Sequence, residues 1–352
     1  MKIAMISTPF VAVPPRDYGG TELVIYELVE GLVARGHDVT LFATGDSAVS
    51  GELRYLYGEA QWPPDVMTEI NHTTWALQQV LEEDFDVVHA HSAGVLAYAR
   101  LTPTLPLVYT MHHVRDEALS AFYRYFPDAH YVAISHDQAR REITLPQVTV
   151  VHHGLDVHRF ECAPRAGDYV TFIGRFAEVK GVHRAIDAAE RAGVPIRVAG
   201  QVHPPDREFG AREVQPRLDR PHVRYLGRIG VDQKVPLLRG ARALLMPITW
   251  DEPFGLVMIE AMLAGCPVVA FARGSVTELV EPGVTGYIVR DVDEMAEVIR
   301  PGGPLDVVDR FACRACAVQR FARERMVREY ERVYAHAAAG HVPRRPPARW
   351  IA

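Results

Sequence analysis

Cysteine is scarce: four residues in a chain of 352, too few at this length for a disulfide framework. The closest pair, Cys313 and Cys316, has CxxC spacing but stands in the helical pattern "RFACRACAVQRFARERM". No second pair or histidine lies near it, so no metal site is expected there. Long apolar runs are also missing. None approaches the roughly 18 residues of a membrane span. The opening "MKIAMISTPF" is short, interrupted by proline and followed by no small-residue cleavage site, unlike a signal peptide. Nor is there an excess of positive charge. With 38 Lys and Arg against 44 Asp and Glu the formal charge is −6, which argues against general affinity for nucleic acid or anionic membrane. The basic "RRPPAR" near the C-terminus reads as a flexible polar tail over residues 341–352. These absences together suit a reduced, cytoplasmic protein. One further absence counts: no G-x-G-x-x-G follows "KIAMIS", which disfavours a dinucleotide-dependent dehydrogenase.

What is present is a repeating pattern of strand, loop and helix. "KIAMIS", "DVTLFAT", "DVVHAH", "PLVYTMHH" and "HYVAIS" are short apolar runs suited to buried parallel strands. A helical stretch from Thr21 to Ala34 carries Leu23, Val24, Leu28, Leu32 and Val33. After the Gly-, Pro- and charge-rich linker "VHHGLDVHRFECAPRAGD" the pattern restarts with "YVTFIG", "IRVAG", "VRYLG", "ALLMPI", "PVVAF" and "GYIV". At this length two cores are the natural expectation. The fold class is therefore α/β, with two doubly wound, Rossmann-like domains facing across a deep cleft, where ligands are expected beyond the carboxyl ends of the strands. The expected division is residues 1–155, residues 156–325, and a C-terminal helical segment over 326–340, expected to cross back to the N-terminal half. A single long helix is expected from about Asp309 to Ala338.

Three glycine-bearing junctions carry candidate chemistry. "YGGTE" places Gly19 and Gly20 before a helix, with Thr21 as its cap. It suits an anion at the helix start, or equally a tight turn. "FIGRFAEVKG" sets Arg175 and Lys180 five apart in a loop that enters a helix. Two cations there suit a diphosphate, or are a pair of solvated surface charges. "TWDEPFGLVMIEAMLAGCPVVAF" puts Glu252 just before Phe254 and Gly255, and Glu260 inside the helix that follows. Two carboxylates so spaced suit a ligand with two sets of vicinal hydroxyls. Solvated glutamates are the plainer alternative, but Glu260 lies in an apolar run where burial without a partner is costly. "DFD", Asp84 to Asp86, has a metal-binding form yet directly precedes a strand, and reads as a charged turn. His89 and His91 alternate on that strand, one suited to the core and the other to a site.

In their order, "GRFAEVKG", "YLGRI", "MPITWDEPFGLVMIEAMLAGCPVVA" and "GSVTELVEPGVTGYIV" resemble the C-terminal half of retaining glycosyltransferases of GT-B architecture, in the large family 4 group. "MISTPF", "PPRDYGGTE", "RGHDVTLFATG", "FDVVHAHS" and "VYTMHH" resemble its acceptor-side half. The likeness runs to about residue 335. The resemblance implies that Arg175 and Lys180 hold the donor diphosphate, approached by Gly19 and Gly20. It implies that Glu260 takes the ribose hydroxyls and that the backbone near Leu226 and Gly227 borders the base. Glu252, with backbone N–H groups around Phe254, Gly255 and Leu256, would hold the donor sugar. His112 would line the sugar site, so that His112 and Glu252 are the expected catalytic residues.

The function so implied is transfer, with retention, of a sugar from a nucleotide-diphosphate donor, a UDP-sugar first of all. The acceptor is a small molecule, glycan or lipid-linked molecule the sequence does not name. No cofactor and no obligatory metal are expected. A nucleotide-sugar epimerase of the same fold and a non-catalytic nucleotide-sugar-binding protein are the alternatives. The first lacks a nameable acid/base pair, and the second is disfavoured because every expected donor-site residue is present. Two departures from the family pattern stand out. His153-Gly154-Leu155-Asp156 replaces the usual Asn-Gly-Val-Asp, and Thr277 stands where proline usually precedes the acid, here Glu278.

Overall fold

The computed structural model describes residues 1–16, 19–98 and 105–340, and the expected tail at 341–352 lies outside them. The chain forms two compact units, Met1–Gly154 together with the segment from Arg323, and Leu155–Ala322. The divisions thus fall at 154/155 and 322/323, against the expected 155/156 and 325/326.

The first unit holds a seven-stranded sheet in the order β3-β2-β1-β4-β5-β6-β7. Its strands are β1 (Lys2–Ile6), β2 (Asp38–Ala43), β3 (Glu52–Tyr55), β4 (Val87–Ala90), β5 (Leu107–Met111), β6 (His130–Ala133) and β7 (Val148–Val150). Every pairing is parallel. Parallel neighbours need crossovers covering both faces, and the apolar β1, β4, β5 and β6 are buried accordingly. Alternation sorts their side chains. Ala4, Ile6, Val88, Ala90, Tyr109 and Met111 join one core, which leaves His89, His91 and Thr110 on the opposite face.

Helix Gly20–Ala34 follows β1. Its cap is Gly19, with no side-chain cap bond, and Thr21 lies inside the helix. The expectation of Thr21 as cap is corrected: the cap stands two residues earlier, at Gly19, and Thr21 already lies within the first turn.

Helix Arg323–Gly340 belongs to the first unit and packs on helix Gly20–Ala34, β4 and β5. Met326, Val327, Tyr330, Val333 and Tyr334 are buried, the three- and four-residue spacing of one helical stripe. Gly31 makes the approach possible, since a Cβ there would lie 2.4 Å from Val327 Cγ2. Arg323 pairs with the buried Glu27 at 2.6 Å, and Arg35 grips Glu331 through two bonds of 2.7 and 2.9 Å.

The second unit holds a six-stranded parallel sheet, β10-β9-β8-β11-β12-β13. Its strands are β8 (Val170–Ile173), β9 (Ile196–Ala199), β10 (Val223–Tyr225), β11 (Leu244–Met246), β12 (Val268–Phe271) and β13 (Gly286–Val289). Both sheets run outward from a central strand in the doubly wound manner. The expected single C-terminal helix is two helices, Arg310–Phe321 and Arg323–Gly340. Ala322 is extended and bridges Leu155, whose N–H donates to Phe321 O at 2.9 Å. The helical run thus breaks at Ala322, the last residue of the second unit, beside Leu155, its first. Among the described residues no helix is long and apolar enough to cross a membrane.

Tyr334 carries more than apolar packing, because its hydroxyl meets His89 Nδ1 at 2.8 Å in a fully buried setting. Tyr334→Phe should cost about 1–3 kcal/mol, the penalty for stranding a buried polar atom. The same change at the exposed Tyr55 should cost almost nothing. Urea midpoints of the two variants check this, and equal midpoints would count against the anchoring role.

Candidate functional site

In the second unit three strand ends converge through glycines. Gly174 N–H donates to Ala199 O at 3.0 Å and Gly200 N–H to Gly227 O at 2.8 Å. A Cβ on Gly200, whose φ is +144°, would stand 1.9 Å from Gly174 O. Only glycine permits that approach. Leu226 N–H is held by Val198 O at 2.9 Å, so Leu226 and Gly227 form a half-buried backbone rim past β10.

The loop leaving β8 carries the two expected cations, and the structure treats them differently. Arg175 is partly exposed, with Nε 3.6 Å from Asp206 Oδ2. Lys180 ends the 3-10 turn Glu178–Lys180. Gly181 follows with φ +79°, and a Cβ there would lie 2.2 Å from Pro247 O. That contact pins the start of helix Val182–Ala192 against the end of β11. Thr249 N–H donates to Val179 O at 2.9 Å, a second tie between the same segments.

Lys180 and Glu252 meet directly. Nζ lies 2.5 Å from Glu252 Oε2, which also accepts from Trp250 Nε1 at 3.0 Å. Lys180 Nζ sits 4.2 Å from the centre of the Trp250 ring, a cation–π arrangement. Glu252 is buried, and its own backbone is clamped, its carbonyl accepting from Ser275 N–H at 2.9 Å. Gly274, at φ +55°, permits this, because a Cβ there would meet Glu252 N and O at 2.4 and 2.3 Å.

Gly255, at φ +86°, is the N-cap of helix Leu256–Leu263. Phe254 is buried edge-on to Phe321, and its carbonyl accepts from Ser275 Oγ at 2.6 Å. The first N–H groups of the helix, beginning at Leu256, have no acceptor within the helix and carry its positive dipole end.

Glu260 lies one turn further on, buried, with its Oε1 2.5 Å from Lys234 Nζ on helix Val231–Gly240. Sequence reasoning required some partner for Glu260 without naming it. Lys234 had no signal, because its helix shows only that a lysine is present. Trp250, Gly274 and Ser275 were also missed, although each stands in a quoted stretch.

The first unit places His112 one residue past β5, half-buried, with Nε2 2.8 Å from His91 Nδ1. Burial, with the neighbouring His113 charge adding, pushes His112 down to about 3. His89 is a core residue, its nitrogens taken by Tyr334 and Thr110 at 2.8 Å each. Burial, with some help from His112, pushes it to about 3. Gly19 and Gly20 open helix Gly20–Ala34 close to Glu22, whose Oε1 accepts from Thr8 at 3.3 Å. Burial raises the Glu22 carboxyl. Asp86 of "DFD" accepts from the backbone N–H of Lys2 at 2.7 Å, a structural turn contact.

Comparison with known proteins gives these residues a context. The family described as Glycosyltransferase Family 4 matches residues 18–159, and Glycosyl transferases group 1 matches residues 159–300. The chain is 27% identical over 327 residues to the phosphatidyl-myo-inositol mannosyltransferase of Mycobacterium tuberculosis, covering 82% of each. It superposes on AviGT4, a glycosyltransferase involved in avilamycin A biosynthesis, with TM-score 0.76 and 24% identity over 97% of this chain and 98% of the other. It also matches Anabaena HepE in complex with UDP-glucose, with TM-score 0.74 and 20% identity over 96% and 100%.

Two outcomes follow from the burial of these groups. Lys234→Met should destabilise the second unit by about 3–5 kcal/mol, because Glu260 then lies buried without its cation. Adding Glu260→Leu should recover most of that loss in denaturant titration, and a double variant as weak as the single would contradict the pairing. His72, held to about 4 by burial, joins His89 and His112 in staying neutral when folded. In the unfolded chain such groups titrate near 6.5 and take up protons first. Stability should therefore begin to fall as the pH drops through about 6.5, seen as lower urea midpoints at pH 5 than at pH 7.5.

Proposed function

Because this chain belongs to glycosyltransferase family 4 and has the GT-B architecture, we propose that it transfers a sugar, with retention, from a nucleotide-diphosphate donor to an acceptor hydroxyl. The observation that carries this reading is the array of Lys180, Trp250 and Glu252 beside the start of helix Leu256–Leu263. It joins a cation and free N–H groups, which suit phosphate, to a carboxylate, which suits hydroxyls.

The roles proposed for the individual residues are those that the family resemblance implies. Arg175 and Lys180 hold the diphosphate, and Gly19 and Gly20 leave room for it. Glu260 accepts from the ribose hydroxyls, and Leu226 and Gly227 border the base. Glu252, with the N–H groups at Phe254, Gly255 and Leu256, orients the sugar, which His112 also contacts. As the anomeric carbon–oxygen bond to the diphosphate breaks, negative charge builds on the departing oxygens. Fixed cations and a helix N-terminus stabilise that charge without reorganising. The acceptor oxygen bonds to the anomeric carbon on the same face, and its proton passes to the departing phosphate.

The cations already supplied by Arg175 and Lys180 support a reaction with no obligatory metal. HepE, whose structures hold UDP and UDP-glucose, supports a uridine nucleotide as the first donor to try. The acceptor is assigned to no chemical class, and the location to the cytoplasm.

A thermal-shift series with UDP, GDP, ADP and dTDP and their common sugars, each with EDTA and with magnesium, tests this reading. At roughly 100 times its dissociation constant a true ligand adds about 2.7 kcal/mol of stability. One nucleotide should shift the protein in EDTA. Glu260→Ala should weaken that shift, whereas Glu252→Ala should leave it and lower turnover with the sugar nucleotide. Shifts that need magnesium would overturn the metal-free reading, and unchanged transfer in both variants would overturn the site.

A further inference from the structure

Four imidazoles of the first unit stand in one run. His89 and His91 share a face of β4 and its end, their ring centres 4.2 Å apart. His112 stacks on His91 at 5.1 Å, and His153 stacks on His112 at 5.6 Å. His91 Nδ1 and His112 Nε2 are 2.8 Å apart, a hydrogen bond between two ring nitrogens. Burial is the main cause pushing His91 well below the ordinary histidine range and His112 to about 3, so at neutral pH both rings are uncharged. One of them must then donate and the other accept.

The donor follows from the far side of His91. Its Nε2 is buried and meets no hydrogen-bond partner. A proton on Nε2 would create an orphaned buried N–H, rarer and costlier than an unmet acceptor. The proton of His91 therefore belongs on Nδ1, facing His112. His112 Nε2 must accept, and neutral His112 carries its own hydrogen on Nδ1, which makes no hydrogen bond to any described residue. His89 plays no such part, since Tyr334 and Thr110 occupy both its nitrogens; it is the fixed floor of the stack.

We propose that His91 is a positioning residue for sugar transfer: by donating from Nδ1 it holds His112 in the Nδ1–H form, so that His112 offers a donor, not an acceptor, to a hydroxyl oxygen of the donor sugar. This rests on the reading of His112 as a sugar-site residue.

Long-range proton–nitrogen correlation NMR on histidine-labelled protein reads the tautomer with neither donor nor acceptor present, the His112 signals being assigned by their loss in His112→Asn. The expected result is His112 protonated on Nδ1 and bare on Nε2. The reverse would overturn the proposal, whatever the fate of the wider functional reading. A second arm compares His91→Phe, which keeps a ring without the N–H, with His91→Asn, whose amide can place an N–H near the same point. His91→Phe should raise KM for the sugar nucleotide about tenfold, the scale of one hydrogen bond. It should leave the thermal shift by the free nucleotide unchanged, and His91→Asn should recover most of the KM. Equal loss in both variants of nucleotide shift and melting temperature would show a packing role only and overturn the proposal. Failure of every nucleotide to bind the wild type would instead refute the donor reading, leaving the tautomer result to stand or fall by itself.

Discussion

A carboxylate taken out of water must be met by a cation or by hydrogen-bond donors, and around helix Leu256–Leu263 this requirement arises twice. Glu252, just ahead of the helix, is met by Lys180 and Trp250, and Glu260, within it, by Lys234. The second unit's loops are arranged by these needs. Lys180 can reach Glu252 because Gly181 lets the loop after β8 press on Pro247. Glu252 is held still because Gly274 lets the segment after β12 lie along its backbone. Three loops and one helix are thus tied to the start of a second helix by two ion pairs and two close backbone approaches. Bringing either charge into the interior alone would cost several kcal/mol. Both pairs are nonetheless partly reachable, with 18% exposure for the Lys180 side chain and 16% for Lys234.

The first unit answers the same problem of buried polar groups without charge. His89, His91 and His112 are held neutral by burial and bond to one another, to Thr110 and to Tyr334. Neutral imidazoles avoid the desolvation cost of ions, but each must settle which nitrogen holds its hydrogen. The network therefore carries direction. The helix that completes it comes from the far end of the chain, so the floor of the stack forms only once residues 323–340 have docked.

Of the thirteen strands among the described residues, eleven were legible in the sequence, most of them because buried parallel strands are apolar on both faces. The exceptions explain themselves. β3 ("ELRY") and β7 ("VTV") are sheet edges with exposed or half-exposed residues, so nothing forces an apolar pattern on them. The break at Ala322 was invisible for a different reason. "QRFARERM" contains no glycine or proline, and its helical propensity is overridden by the bridge to Leu155. The cap of helix Gly20–Ala34 was misplaced by two residues, because Thr21 is a good cap in isolation whereas the helix already begins at Gly20.

The site divides along the same line. Glu252, Phe254, Gly255 and Glu260 lie within nine residues, where spacing alone conveys a loop, a helix start and a helical turn. Their partners lie 72 and 26 residues away, and no local pattern encodes which lysine arrives. This separation also bears on function. If Lys180 receives a diphosphate, it does so while bound to the carboxylate proposed to orient the sugar. An ammonium has three N–H donors, so one can stay on Glu252 while the others turn to phosphate oxygens. The group that steadies the departing charge and the group that orients the sugar are then fixed relative to each other before any ligand binds. That preorganisation is what makes an electrostatic site effective in the transition state, and here it comes from the requirement that kept Glu252 paired in the first place.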